Sequence, residues 1–193
     1  MAAHAETRPS IAVFCGARPG VHPDHLHFAH AFGLELARRG SDLVYGAGGV
    51  GVMGAVAQGV TAGGGDVTGV VPQALRERER SDDPLGSIRV VDTMHERKAL
   101  MYALSDGFAV LPGGIGTMDE VMEVLTWNQL GLIDKPIVLV NHRGFFDPLI
   151  GLLDHLVAEG FLSAVERRLI RAARRPEEAC DLLRLPAPLA VAA

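Results

Sequence analysis

The sequence predicts an α/β fold, in which a parallel sheet carries helices on both faces within a single domain. Short apolar segments alternate with amphipathic stretches of helical length along most of the chain. The apolar segments are continuous, which is typical of parallel strands that are buried on both faces. Three glycine-rich segments each follow one of these strands. In open parallel sheets, ligands bind outside the carboxyl ends of the strands, so the glycine segments mark the expected binding edge.

The elements follow from this alternation. Apolar segments predict strands at 11–15, 43–46, 66–71, 88–92, 107–112 and 136–141, with a short final strand near 168–171. The stretches between them predict helices at about 24–39, 50–62, 94–104, from the fifth strand to about 130, 148–159 and 176–184. We assign one domain to residues 10–185, with flexible ends at 1–9 and 186–193. The charged segment 73–87 is expected to be a lid or a solvated surface loop.

Composition narrows the class of protein. The chain has 193 residues, of which 48% are apolar and 21% are charged, as in folded globular proteins. A net charge of −5 argues against a general nucleic-acid or membrane-surface partner. A small anionic ligand stays compatible with this charge, because local geometry can override the overall sign.

The two cysteines and the N-terminal residues indicate in which cellular compartment the protein is expected. Cys15 and Cys180 lie far apart and show no metal-ligand spacing, which favours free thiols in a reducing compartment and no metal site. The segment MAAHAETRPS has no apolar stretch and carries Glu6, so it does not resemble a secretory signal. No segment approaches the roughly 18 apolar residues of a membrane span. We therefore expect a soluble, cytoplasmic protein.

The segment GAGGVGVMG follows the second strand and matches the dinucleotide fingerprint G-x-G-x-x-G at Gly46, Gly48 and Gly51. Two features count against an NAD-binding oxidoreductase. The fingerprint usually follows the first strand, and the spaced acidic residue, Asp66, begins its strand instead of ending it. A tight turn with close helix packing is favoured, and NAD binding stays an alternative.

The segment LPGGIGTMDE supports two interpretations. Thr117 and Glu120 match the S/T-x-x-E capping box, which would only stabilise the start of a helix. Gly113, Gly114 and Gly116 instead remove side chains, so that backbone N–H groups at a helix N-terminus can approach a phosphate. A capping box needs no such glycines, and their number favours the phosphate site.

The segment VVDTMHERKALM supplies cations. Thr93 and Glu96 form a second capping-box pattern, which places Arg97 and Lys98 in the first two turns of a helix. The helix dipole disfavours positive charge there, so we infer an anionic partner, with a solvated surface pair as the alternative. Met94 shares a helical face with Arg97 and forms either the edge of the core or the wall of a flat apolar pocket.

Together these motifs resemble the LONELY GUY (LOG) family of cytokinin riboside 5'-monophosphate phosphoribohydrolases, often mislabelled as lysine decarboxylases. The resemblance rests on MHERK, LPGGIGTMDE, TWNQLG and DKP, in that order, and extends from the FCG at 14–16 to about Gly160. It implies a Rossmann-like fold and a homodimer with its active site near the subunit boundary. It also implies hydrolysis of the N-glycosidic bond of AMP or N6-isopentenyl AMP, which releases free base and ribose 5-phosphate without a cofactor.

The resemblance also assigns roles to residues. Arg97 and Glu120 are the implied catalytic pair. The implied substrate-binding residues are Met94, Arg97, Lys98, Gly113, Gly114, Ile115, Gly116 and Thr117. Cleavage passes through an oxocarbenium-like ribose, which a carboxylate can stabilise. Glu120 can also engage the ribose hydroxyls or activate water, and Arg97 offers a bidentate donor for phosphate or for departing charge.

Some positions depart from the family pattern or leave a choice open. Ala47 stands where glycine is expected, and segment 73–87 is longer and more charged than in plant members, so preference for a modified base does not carry over. Arg18 is either a phosphate ligand or a surface residue. The helix at 118–130 offers either an interface or core packing. A non-catalytic nucleotide-binding or carrier protein is the alternative function, and Glu120 argues against it because a carboxylate weakens simple phosphate binding.

Overall fold

The computed structural model describes residues 8–78 and 85–188, and these residues contain one parallel sheet of seven strands. The strands are β1 (Ser10–Phe14), β2 (Asp42–Tyr45), β3 (Val67–Pro72), β4 (Ser87–Val91), β5 (Gly107–Val110), β6 (Ile137–Val140) and β7 (Ile170–Ala173). Their order across the sheet is β4-β3-β2-β1-β5-β6-β7, and every neighbouring pair is parallel. The predicted parallel sheet is confirmed.

Helices connect the strands. The α-helices are α1 (Asp24–Arg38), α2 (Gly51–Ala62), α3 (Gln73–Arg78), α4 (Met94–Ala103), α5 (Ile115–Gln129), α6 (Asp147–Ala158) and α7 (Pro176–Leu182). Short 3-10 turns lie at His142–Gly144 and Glu166–Leu169. Over the described ranges, no helix is long and apolar enough to cross a bilayer.

Strand β1 shows how the sheet is buried on both faces. Ile11 and Val13 belong to the core cluster that includes side chains of α1, α2 and α7. Ala12 and Phe14, between and after them, belong to the cluster that includes side chains of α4, α5 and α6. Because successive side chains of a strand point to opposite faces, a continuous apolar segment packs into the cores on both faces of the sheet. The predicted helices on both faces are confirmed.

The binding edge lies where the chain reverses its direction across the sheet. Strand β1 pairs with β2 on one side and with β5 on the other. The strands β2 to β4 therefore extend the sheet to one side of β1, and the strands β5 to β7 extend it to the other side. The two loops that follow β1 and β5 meet at this point, where the N–H of Gly16 donates to the carbonyl of Pro112 at 3.1 Å. Such a switch point opens a crevice at the carboxyl ends of the strands.

The prediction of a loop over 73–87 is wrong for residues 73–78 and for Ser87, whereas Leu85 and Gly86 lie in neither a helix nor a strand. Residues Gln73–Arg78 form α3, and β4 begins at Ser87. The sequence QALRER consists mostly of strong helix formers, and its charge alone was a poor guide to its conformation. Residues 79–84 lie outside the described residues, as do positions 1–7 and 189–193 of the predicted flexible ends.

The start of α4 confirms the predicted capping box at Thr93 and Glu96. The N–H of Glu96 donates to Oγ1 of Thr93 at 3.1 Å, and Oε2 of Glu96 accepts from the N–H of Asp92 at 2.9 Å. The glutamate therefore reaches one residue further back than in the usual box. The cap fixes the residue at which α4 begins, and with it the direction of the side chains in its first turns.

We expect Thr93→Ala to lower the free energy of unfolding by about 1 kcal/mol, since the N–H of Glu96 loses its acceptor. Chemical denaturation monitored by circular dichroism measures this change. The matched control is Thr126→Ala, which removes an exposed hydroxyl that donates to the Met122 carbonyl within α5. An equal loss in both variants would contradict the capping role.

Candidate active site

A cavity of about 630 Å³ opens at the carboxyl ends of β1 and β5, a size that suits a small-molecule ligand. The loop after β1 forms one wall, and the loop after β5 with the first turns of α5 forms another. Side chains from α4, α2, α1 and the turn after β6 complete it. The lining residues are Cys15, Gly16, Ala17, Arg18, Pro19, Gly20, His25, Val52, Met53, Met94, Arg97, Pro112, Gly113, Gly114, Ile115, Gly116, Thr117, Asp119, Glu120 and Phe145.

The N-terminus of α5 faces this cavity without a side-chain cap. Gly114 is the N-cap residue in an extended conformation, and among the described residues no side chain caps the first N–H groups. Because α5 begins at Ile115, Thr117 lies inside its first turn and cannot serve as the N-cap. The capping box considered for Thr117 and Glu120 is therefore not formed. The free N–H groups of the first turn offer donors to an anion.

The three glycines of this loop differ in what they allow. A Cβ at Gly113 would overlap the side chain of Thr117, so packing alone requires glycine there. A Cβ at Gly114 or Gly116 would have no neighbour within 4 Å. Packing therefore does not explain these two glycines, whereas a ligand that approaches the backbone closely would.

Arg97 reaches the cavity from the first turn of α4 and is only 9% exposed. Its Nη2 donates to the carbonyl of Gly46 at 3.5 Å, and a Cβ at position 46 would collide with the guanidinium. Nη1 lies 3.8 Å from Sδ of Met94, while Nε has no partner within the described residues. The first glycine of the G-x-G-x-x-G motif thus makes room for Arg97.

Another glycine of that motif serves the turn itself. Gly51 has a φ of +65°, and a Cβ there would overlap the carbonyl of Ala17. Strand β3 begins at Val67, so Asp66 precedes it, at the edge of the sheet opposite to the cavity. These observations support a tight turn with close packing for GAGGVGVMG, in preference to a dinucleotide site.

Glu120 lies in the second turn of α5, directly across from Arg97. Its side chain is 10% exposed, and its Oε1 is 3.9 Å from Nη2 of Arg97, longer than a hydrogen bond. Burial raises the pKa of Glu120 to about 7, and the positive charge of Arg97 offsets only part of that increase. A carboxyl group that titrates near neutral pH, in a cavity and beside an incompletely bonded arginine, is typical of a functional site.

The cavity brings together most of the predicted site residues but not all of them. Met94, Arg97, the loop from Gly113 to Thr117, and Glu120 all line it. Lys98 does not, because its Nζ points between α4 and α5 and contacts Oδ2 of Asp119 at 3.0 Å and Oε2 of Glu123 at 2.9 Å. Arg18, left open between two roles, lies in the cavity wall.

Sequence reasoning missed two residues that tertiary structure brings to the cavity. His25 comes from the first turn of α1 and Phe145 from the turn after β6, and their ring centres are 6.2 Å apart. Burial and the neighbouring His22 lower the pKa of His25, which favours a neutral imidazole at pH 7. Neither residue belongs to a local motif. In the described part of the chain, no group of three His, Cys, Asp or Glu side chains is arranged to hold a metal ion.

Comparison with known families and sequences gives a consistent result. The family model described as "possible lysine decarboxylase" matches residues 53–183. The chain is 45% identical over 168 residues to the cytokinin riboside 5'-monophosphate phosphoribohydrolase LOG of Oryza sativa subsp. japonica, covering 87% of this chain and 69% of that protein. It is 43% identical over 178 residues to an enzyme of the same description from Arabidopsis thaliana, covering 92% and 83%.

Solved structures share the fold at lower identity. The molybdenum cofactor carrier protein from Chlamydomonas reinhardtii has a TM-score of 0.69 and 20% identity, covering 92% of this chain and 96% of its own. The molybdenum cofactor binding protein from Rippkaea orientalis has a TM-score of 0.67 and 25% identity, covering 93% and 98%. The Rossmann-like architecture is therefore common to these proteins.

We expect Gly116→Ala to stabilise the protein while weakening its affinity for ribose 5-phosphate. Alanine in the first turn of α5 gains helix propensity of up to about 1 kcal/mol, but its methyl group occupies the space through which an anion approaches. Thermal melting and isothermal titration calorimetry measure the two effects.

Gly151 in α6 provides the matched control, because a Cβ there would also meet nothing within 4 Å and it lies outside the cavity lining. Gly151→Ala should stabilise the protein without changing the affinity. Equal affinities in both variants would contradict the anion site at α5.

Proposed function

Because the chain belongs to the LOG family of cytokinin riboside 5'-monophosphate phosphoribohydrolases, we propose that it hydrolyses the N-glycosidic bond of AMP-type nucleotides. Water adds to the ribose carbon, and the products are the free base and ribose 5-phosphate. Cytokinin riboside 5'-monophosphates such as N6-isopentenyl AMP are the favoured substrates. The observation that carries the proposal is the buried pair of Arg97 and Glu120, which lies one helical turn from an uncapped, glycine-lined helix N-terminus.

The spacing along α5 suits a nucleoside monophosphate. The phosphate would accept hydrogen bonds from the N–H groups at Gly114 to Gly116 and gain from the helix dipole. Glu120 lies in the next turn, a rise of about 5.4 Å along the axis, which places a ribose attached to that phosphate beside its carboxylate. Met94 and Met53 line the same cavity and provide apolar surface for the base.

The chemistry requires negative charge beside the sugar. As the glycosidic bond breaks, positive charge develops on the ribose, and the largely buried carboxylate of Glu120 stabilises it. Arg97 donates to the phosphate or to the departing base. Since the pKa of Glu120 is raised to about 7, the ionised form decreases as the pH falls below 7, and activity should decrease with it.

A carrier protein of the same fold is less well supported. Its phosphate site would gain from Arg97 and from the N-terminus of α5, but the buried carboxylate of Glu120 would repel the bound anion. Burying a carboxylate at 10% exposure without a close ion pair costs stability, and simple binding offers nothing in return. A hydrolase explains the presence of this group.

We also propose a cytoplasmic homodimer. One side of α5 carries a shallow groove, in which Ile115 is 86% exposed. It is lined by the apolar residues Ile115, Met118, Met122 and Trp127 and by the polar residues Asp119, Glu123 and Thr126. Ile115 also lines the cavity, so a second copy on this groove would place the subunit boundary beside the active site. The cysteines Cys15 and Cys180 are both free and buried, in keeping with a reducing compartment.

The experiment that tests the function follows the release of free base from AMP and from N6-isopentenyl AMP by chromatography. We expect the wild type to release base from both, faster from the modified nucleotide, and Glu120→Gln to lose at least about 100-fold in rate. Release by the wild type but not by the variant supports the catalytic role. Binding without release would instead support the carrier.

Melting temperature serves as the control for this variant. The folded-state pKa of Glu120 lies above its usual value, so its contribution to stability is present at low pH and is lost as the pH rises through about 7. At pH 8, Glu120→Gln should therefore be at least as stable as the wild type. A parallel loss of activity and melting temperature would indicate a structural role only.

A further inference from the structure

We propose that Lys98 is a positioning residue that fixes α4 against α5, and that it does not bind the nucleotide. The inference rests on the proposed function, since the residues it positions are Arg97 and Glu120. Lys98 directly follows Arg97 in α4, and its partner Asp119 directly precedes Glu120 in α5. The two neighbouring pairs connect the same two helices. Arg97 and Glu120 both line the cavity, whereas of the second pair only Asp119 lines it and Lys98 lies outside the lining.

The second pair belongs to a ladder of side chains between the helices. Lys98 and Tyr102 are one turn apart on α4, and Asp119 and Glu123 are one turn apart on α5. Nζ of Lys98 contacts Asp119 at 3.0 Å and Glu123 at 2.9 Å, and the hydroxyl of Tyr102 donates to Glu123 at 2.6 Å. Because two residues of each helix take part, these contacts fix both the distance between α4 and α5 and the rotation of one helix relative to the other.

The charges at this ladder disfavour a nucleotide ligand. Lys98 is 10% exposed in its side chain, and two of its three ammonium donors already point at carboxylates. One cation between Asp119 and Glu123 leaves the cluster negative, so a phosphate brought to Lys98 would be repelled. Burial alone would lower the pKa of Lys98, but the hydrogen bonds that its ammonium donates to the carboxylates of Glu123 and Asp119 outweigh burial and raise the pKa, which keeps the ammonium charged.

The charged residues of the ladder also contribute to the electrostatic potential at the carboxyl group of Glu120. The groups that face its carboxyl from the packed elements are Arg97, Lys98 and Tyr102 of α4, Asp119 and Glu123 of α5, and Cys15 after β1. Arg97 and Lys98 favour the ionised form of Glu120, while Asp119 and Glu123 oppose it. Removal of Lys98 should therefore shift the titration of Glu120 upward, and removal of Glu123 should shift it downward.

The test compares Lys98→Met, Lys98→Arg and Glu123→Gln in the base-release assay across pH. For Lys98→Met we expect kcat to fall roughly 10- to 100-fold and the acid limb of kcat/KM to move up by about half a pH unit. The affinity for ribose 5-phosphate, measured by calorimetry, should change less than about twofold. Lys98→Arg keeps the charge, so the acid limb of its kcat/KM profile should match that of the wild type. Glu123→Gln should move this limb to lower pH.

Lys135→Met is the matched control, because Lys135 is the only other lysine of the chain and its Nζ bonds the Tyr102 carbonyl at the end of α4. It should lower stability without moving the pH limb. A loss of ribose 5-phosphate affinity of tenfold or more in Lys98→Met, or an unmoved pH limb in both Lys98→Met and Glu123→Gln, would overturn the positioning role while leaving the hydrolase intact. Absence of base release by the wild type would overturn both proposals.

Discussion

The contact between the first turn of α4 and the second turn of α5 is the constraint on which the candidate site depends. It places a guanidinium and a carboxylate opposite one another at 3.9 Å, with both side chains about nine-tenths buried. A buried charge is costly unless it is closely paired, and this pair is not close. The protein keeps two incompletely satisfied charges in one cavity, and a bound ligand is the partner that would satisfy them.

The glycine-rich loops are the means by which the sheet edge accommodates this arrangement. Gly46 leaves room for the guanidinium of Arg97, and Gly113 leaves room for Thr117 inside the first turn of α5. At Gly114 and Gly116, by contrast, the space that a Cβ would fill has no atom of the described residues within 4 Å. Two glycines thus shape the protein around its own side chains, and two keep backbone donors accessible from the cavity.

The fold could be predicted from sequence because continuous apolar runs and amphipathic stretches are local signals. Residues 73–78 were misassigned to a loop because the charge of the segment drew attention away from a short stretch of good helix formers. The capping box at Thr93 was correct, while the same pattern at Thr117 was wrong, because a helix start depends on which of several registers the tertiary structure selects. Here α5 begins at Ile115, two residues before Thr117.

The candidate site was predictable only where its residues belong to local motifs. Met94, Arg97 and Glu120 lie in two such motifs and meet in the cavity, whereas His25 and Phe145 reach it from elements that are distant in sequence. Lys98, by contrast, lies within a local motif but does not line the cavity. Its position beside Arg97 implied a ligand, but its direction is set by Asp119 and Glu123 on another helix, which no local pattern reveals.

The titration of Glu120 is the most direct test of the buried, loosely paired carboxylate in the candidate site. Carbon-13 NMR of the glutamate side-chain carboxyl groups, with Glu120→Gln to assign the resonance, measures its pKa in the free protein. We predict a pKa of about 7, because burial outweighs the charge of Arg97 at this distance. A value near the usual 4.5 would show that the carboxylate is well solvated or fully paired, and would contradict the arrangement on which the proposed catalysis rests.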